Sequence, residues 1–230
     1  MVKQKIKKLS FDKIGSKYQL FINDKPFLTP SKNEIILPLN LIKKIIEELN
    51  KEENNLVKET ISVFSFCVTS IDKVLPNRGF INNEILNYFI TDSLFYRENL
   101  NKDLKQEQKL QFDPIIKIFE RKLKVKISLS EYTIPVRQSY DANSKMLLFI
   151  NKLNELELTG MLELVNISNS LILSYLLFNK MIGSDTFLSV SFLEENFQER
   201  KWGLDKDNLK KKSAVSKQLN EVIHFLELLN

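Results

Sequence analysis

The chain has 230 residues, of which 43% are hydrophobic and 27% charged, and its formal net charge is +5. That balance excludes a disordered chain, and the length allows one large domain or a small domain beside a larger one. Phe 16 against Gly 5 and Pro 6 predicts long elements with few breaks, mostly helix, and the single cysteine excludes an intrachain disulfide and fits a reducing compartment.

The first elements read as β. "KYQLFINDKPFLTP" alternates Tyr18, Leu20 and Ile22 against Gln19 and Phe21. Asn23-Asp24 offers turn chemistry, because both residues tolerate positive φ. Pro26 and Pro30 belong at edges or strand ends, and "NEIILP" (Asn33 to Pro38) reads as a further short strand. These strands make a small antiparallel meander that must pack on something else. The period then changes: Leu41, Ile42, Ile45, Ile46 and Leu49 have helical spacing. The expected organisation is a β-rich domain over residues 1–52, ending in a helix, and a helical domain over 53–230. The polar run "KEENN" marks the boundary.

Helices are predicted near Leu56–Val74, Asn82–Leu100, Lys105–Leu123, Lys145–Leu153, Leu158–Ile182, Ser184–Trp202 and Lys206–Leu229. A short extended piece, "KVKISL" (Lys124 to Leu129), interrupts them, and Ser130 to Asn143 is the longest loop. The fold class is therefore α+β and mostly α. No repeat is visible, so consecutive helices point to a compact helical domain. The apolar run Leu164–Phe178 is short for a membrane span and carries Asn166, Ser168, Asn169 and Ser170, so no membrane insertion is expected. No signal stretch follows the basic N-terminus.

The chemistry of catalysis is hard to find. The only histidine, His224, lies on an apolar C-terminal helix, and Cys67 lies in the apolar run "TISVFSFCVTSI". No glycine pattern forms a phosphate loop or a dinucleotide turn. One Cys and one His make zinc improbable, and "DKDN" (Asp205 to Asn208) has too few ligands for a calcium loop. The reading is a non-enzyme without cofactor, metal or catalytic residues. The basic stretches Lys3 to Lys8 and Leu209 to Lys217 are short and the remaining charge is interleaved, which argues against a nucleic-acid partner.

What stands out is polar residues on apolar faces. On one helix, at about 100° per residue, Arg97 falls inside the arc of Leu86, Phe89, Ile90 and Leu94, and Asp92 sits at its edge beside Ile85. In "SFLEENFQERKWG", Glu195, Gln198 and Trp202 share a face at i, i+3 and i+7, together with Phe187 and Leu188. Leu193, Val190 and Phe197 form a second apolar arc. Buried charges must be paired, and Glu195 is the first candidate partner for Arg97. The set is either a polar clamp that fixes helix packing or a group that receives a partner.

Four stretches carry a resemblance to a known family, and a fifth adds to it. "INDKPFLTP" is similar to its N-terminal hairpin at Pro26, Thr29 and Pro30, although Asn23-Asp24 replaces the usual Asp-Gly and Lys25 replaces Arg. "TDSLFYRE" resembles its Thr-Asp-x-x-x-Tyr-Arg element at Thr91, Asp92, Tyr96 and Arg97. "QKLQFDPII" resembles its Trp-Asp-Pro segment at Asp113 and Pro114, with Phe112 in place of Trp. "LEENFQERKWG" resembles its Glu-x-x-Gln…Trp-Gly ending at Glu195, Gln198, Trp202 and Gly203. "ELVNISNSLIL" is similar to its central apolar helix. The family is that of the ATP synthase alpha-subunit assembly chaperones, also called ATP synthase assembly factor 2.

The resemblance implies a small β domain before a larger helical one and a binding protein with no catalytic cycle. It also implies a partner, the free alpha subunit of F-type ATP synthase, held until the beta subunit replaces it. On that reading Glu195, Gln198, Trp202 and Phe187 are the expected partner contacts, and Asp92, Arg97, Tyr96 and Asp113 the structural polar cluster. A monomer is expected, in a bacterial cytoplasm or alternatively a mitochondrial matrix. The competing reading is a helical module for another client or for nucleic acid.

Overall fold

A computed structural model of the chain describes residues 8–52, 63–131, 135–203 and 206–229. The basic stretch at 3–7, the expected boundary after residue 52 and the start of the helix predicted from Leu56 lie outside the described residues. Two compact units are present. Unit 1 comprises Met1–Arg78, Asn154–Gly160 and Glu221–Asn230, and unit 2 comprises Gly79–Leu153 and Met161–Asn220.

Unit 1 carries the antiparallel sheet. Strand β1 (Leu9–Ile14) turns at Gly15, whose φ of 60° suits glycine, into β2 (Lys17–Ile22). The turn at Asn23 and Asp24, with φ of 50° and 62°, returns the chain as β3 (Lys25–Pro26). Both central residues have positive φ, the hairpin geometry that the right-handed strand twist favours. Strand β4 (Ile36–Leu37) joins the same edge of β2, opposite Tyr18 and Gln19. β2 is thus central, and its middle is covered on both faces: Leu20 and its neighbour Gln19 are both buried, so the expected alternation does not hold there.

Helix α1 (Leu39–Glu52) packs on β2 and buries Leu41, Ile42, Ile45 and Leu49, the stripe its spacing predicts. Glu48 accepts from the backbone N–H groups of Val63 and Phe64, and so caps the first described turn of α2 (Val63–Thr69). A π-helical turn, Ser70–Val74, follows. Its Asp72 gathers the loop after β3: Thr29 Oγ1 donates to it at 2.6 Å, Asn33 Nδ2 at 2.8 Å and the Ser31 N–H at 3.1 Å. Cys67 is buried in this core, and desolvation raises its thiol pKa, so it is packed rather than reactive. Phe66 lies 5.0 Å from Phe225. Gly160 allows Leu226 a close approach, since a Cβ there would stand 2.5 Å from Leu226 Cδ2.

Unit 2 is helical. It contains α3 (Arg78–Ile90) from Gly79 onward, α4 (Lys102–Leu123), α5 (Tyr140–Lys152), α7 (Leu171–Phe178), α8 (Ser184–Ser191) and α9 (Leu193–Trp202). It also contains the later part of α6 (Glu155–Ser168) and the earlier part of α10 (Lys206–Glu227). A chain of aromatic contacts threads its core from Phe95 through Phe89, Phe119, Tyr175 and Phe149 to Phe178.

Three predicted helices are corrected. The helix expected over Asn82–Leu100 stops at Ile90. Asp92 then caps a 3₁₀ turn, Ser93–Phe95, and Tyr96 is extended, so Arg97 is not on a helix. The helix expected over Leu158–Ile182 breaks at Asn169, which takes φ of 52°, and Ser170 recaps α7 by accepting from the Leu173 N–H. The helix expected over Ser184–Trp202 breaks at Phe192, with ψ of 20°. The piece Lys124 to Leu129 interrupts the helices as expected, without forming a strand. Lys124 ends α4 in the left-handed region at φ 54°, and a single bridge joins Ser130 to Tyr96. Apolar periodicity continues across each helix break, whereas the break itself is made by one residue's backbone angles.

Candidate functional site

Helix α9 supplies the candidate surface. Leu193 and Phe197, one turn apart, are buried and define its inward edge. Helix α4 holds one flank. Arg200 Nη2 bridges to Glu107 and donates to its Oε1 at 2.5 Å. Lys201 Nζ pairs with Asp103 at 3.1 Å, and Gln108 Nε2 donates to Glu194 at 2.8 Å. Lys201 also stands 4.8 Å over the Phe197 ring. Helix α10 holds the other flank, where Lys212 Nζ donates to Glu199 and to Asn196, each at 2.6 Å. The Lys212 and Glu199 side chains are only 20% and 10% exposed, so this pair is largely dry. Gly203, at φ 97°, ends the helix.

One strip of α9 is left outward, and it carries Gln198, Trp202 and Glu195. Gln198 is exposed, Glu195 is half-buried, and Trp202 is 76% exposed. A tryptophan held in water on a fixed helix is an available anchor for a protein partner. Phe187 does not join this strip. It lies on α8, before the break at Phe192, and is fully buried, which removes it from a surface contact in this conformation.

The polar cluster expected from sequence resolves into two centres. Asp92, fully buried, accepts from Ser170 Oγ at 2.9 Å and from the N–H groups of Ile172 and Leu94 at 3.0 Å each. It therefore ties the 3₁₀ turn to the N-terminus of α7. Burial pushes its carboxyl pKa up to about 7, while the Ile172 N–H, the Ser170 hydroxyl and the Leu94 N–H pull the other way.

Arg97 forms the second centre. Its Nη2 pairs with Asp113 at 2.9 Å, its Nη1 donates to the Leu94 and Tyr96 carbonyls, and its guanidinium lies 5.2 Å over the Phe112 ring. The partner of Arg97 is thus Asp113 on α4, and the pairing with Glu195 is not formed. Tyr96 contributes through its backbone. The flanking network of α9, from Asp103, Glu107 and Gln108 to Lys212, was not anticipated, because ordinary surface charges carry no signature of which helix they face.

Among the described residues no group of three or more His, Cys, Asp or Glu side chains could hold a metal ion, and no helix is long and apolar enough to cross a membrane. The arrangement defines a class: an α+β protein whose candidate site is a fixed, aromatic-bearing helix face suited to holding another protein.

Comparison with known proteins narrows that class. The family model described as ATP12 chaperone protein matches residues 3–120, about half of the chain, and the chain belongs to that family. It is 24% identical over 156 residues to "Protein atp12, mitochondrial" of Schizosaccharomyces pombe. That match covers 62% of this chain and 54% of the relative, so the chain spans about half the length of the curated relative it matches. The crystal structure of Atp12 from Paracoccus denitrificans superposes with a TM-score of 0.84 at 24% identity, covering 96% of each chain. A point variant of P. denitrificans Atp12p gives 0.86 at 24% identity, covering 99% of this chain and 97% of that one. At such identity the likeness to these structures is one of fold, and it bears out the small N-terminal sheet followed by helices.

Proposed function

We propose that this protein is an ATP-independent assembly chaperone that binds the free alpha subunit of the F-type ATP synthase catalytic head, keeps it from aggregating and yields it to the beta subunit. The family match over residues 3–120 is the observation that carries this reading. The outward strip of α9, with Glu195, Gln198 and Trp202, is the proposed contact. An unassembled alpha subunit exposes apolar interface that aggregates at modest concentration. A holder without a fuel source releases by competition, so its affinity needs only to exceed that of aggregation and fall below that of the true partner. We place it in a bacterial cytoplasm, acting as a monomer without catalysis.

Co-expression with the alpha subunit of the same organism tests this. The expected result is soluble alpha subunit that co-purifies and is displaced when beta is added. Alpha subunit that stays aggregated, with nothing co-purifying, overturns the reading.

A further inference from the structure

A second surface lies in unit 2, away from the residues of α9 and its flanks. The end of α4 and the start of α5 enclose an open cleft of about 770 Å³. Four cations, Lys117, Arg121, Lys124 and Lys126, line it against two carboxylates, Glu120 and Asp141. Both carboxylates are already occupied. Glu120 takes the Ile127 N–H at 2.9 Å and lies 3.5 Å from Lys126, and Asp141 pairs with Lys145 at 2.7 Å.

Cations at a helix C-terminus ordinarily serve its free carbonyls. Here Lys145 Nζ already caps the Leu123 carbonyl at 2.9 Å, and among the described residues Arg121 uses only Nε, on the Lys117 carbonyl. The Lys117 and Lys124 amines and the outer guanidinium nitrogens of Arg121 are therefore surplus to capping, and all three residues are exposed. Helix α5, which supplies Asp141 to the cleft, carries exposed apolar side chains. Tyr140, between the cleft residues Ser139 and Asp141, is 88% exposed. Leu148 shares the helix side of Asp141 and Lys145 and is 59% exposed.

We propose that this cleft docks an acidic stretch of client polypeptide bearing apolar residues, its carboxylates meeting Lys117, Arg121 and Lys124 and its apolar side chains meeting Tyr140 and Leu148. The proposal rests on the chaperone reading above and adds a second, electrostatic contact to it. Charge complementarity names the occupant: three cations with side-chain donors unused among the described residues, beside an exposed aromatic, match alternating carboxylate and apolar side chains. Such a contact quickens capture at low salt and weakens as salt rises.

The test uses the full chain and a short fluorescent peptide in which glutamate alternates with leucine and phenylalanine, read by anisotropy. Wild type should bind it, more weakly at high salt. The triple variant K117E/R121E/K124E, and the milder K117Q/R121Q/K124Q, should lose about tenfold or more in affinity with unchanged melting temperature. The α10 control K210E/K211E should bind as wild type does. Equal binding by wild type and the cleft variants, an equal loss in the control, or no binding by wild type overturns the proposal. Full displacement of the peptide by inorganic phosphate at the peptide's own concentration reduces the cleft to an anion site and overturns it too. Failure of wild type to protect the alpha subunit instead sinks the chaperone reading, and the peptide result stands apart from it.

Discussion

Asp92 and Arg97 share the backbone of Leu94. Asp92 Oδ1 accepts its N–H at 3.0 Å, and Arg97 Nη1 donates to its carbonyl at 2.7 Å. One buried residue in a 3₁₀ turn is thus fixed from both sides, toward α7 through Asp92 and toward α4 through Arg97. The two charges never meet, yet each orients the same short segment.

Replacing Asp92 with Ala leaves the Leu94 and Ile172 N–H groups and the Ser170 hydroxyl without their buried acceptor. Each such group costs about 1–3 kcal/mol, so the variant should lose roughly 3 kcal/mol or more, measured by urea unfolding. Unchanged stability would show that α7 is held by packing alone.

The pH dependence of the same residue has a definite sign. Its folded pKa, about 7, is raised above the ordinary carboxylate value near 3.9. The folded state therefore binds the proton more tightly, and this contribution is fully present below pH ~4 and is lost as pH rises toward ~7. Asp92→Asn should remove that slope. The difference in stability between wild type and Asp92→Asn, measured from pH 4 to 8, is the readout, and a constant difference would contradict the assignment.

Arg97→Leu strands Asp113 and the Leu94 carbonyl and loses the contact over Phe112. Breaking a pair whose arginine side chain is 7% exposed should cost about 3 kcal/mol, or roughly 10 °C in Tm at this chain length. Asp113→Asn, with its carboxylate 27% exposed, should cost less. Loss of client binding with an unchanged Tm would assign Arg97 to the contact instead.

Gly160→Ala sets helix propensity, worth about 1 kcal/mol in favour of Ala, against a Cβ 2.5 Å from Leu226 Cδ2 and 2.9 Å from its Cγ. Overpacking costs typically about 1–3 kcal/mol, so the single variant should be destabilised. Adding Leu226→Ala should then cost less than Leu226→Ala does alone. Strict additivity in that double-mutant cycle would mean that Leu226 simply turns away.

If the outward strip of α9 is the client contact, Glu195→Lys and Trp202→Ala should abolish or sharply weaken alpha-subunit protection while Tm stays within about 1 °C, because neither side chain carries the core. Protection that survives both changes would move the contact elsewhere.

Much of this architecture was legible because it is written locally. Asn23-Asp24 names its own turn, and the stripe Leu41, Ile42, Ile45 and Leu49 names its own helix. Gly203 names a stop for α9, and Glu195, Gln198 and Trp202 share one outward strip in which Glu195 is half-buried. The misread places are those where one residue's conformation overrides a continuing pattern. Asn169 turns left-handed within an apolar run and Phe192 bends within another. Asp92 leaves the helix to cap a turn while Arg97 still keeps the helical phase. Pairings between distant elements were not readable either. Glu195 and Asp113 are equally plausible partners for Arg97 on charge alone, and only the packing of α4 selects Asp113.

Helix α9 is tied to α4 on one flank, to α10 on the other, and stopped by Gly203. The backbone that carries its outward strip is therefore held from both sides. A guest meeting such a strip finds a finished mould, so little ordering entropy stands against capture. On the proposed reading, such a holder stores no spring to release, and the guest's next companion decides how long it stays.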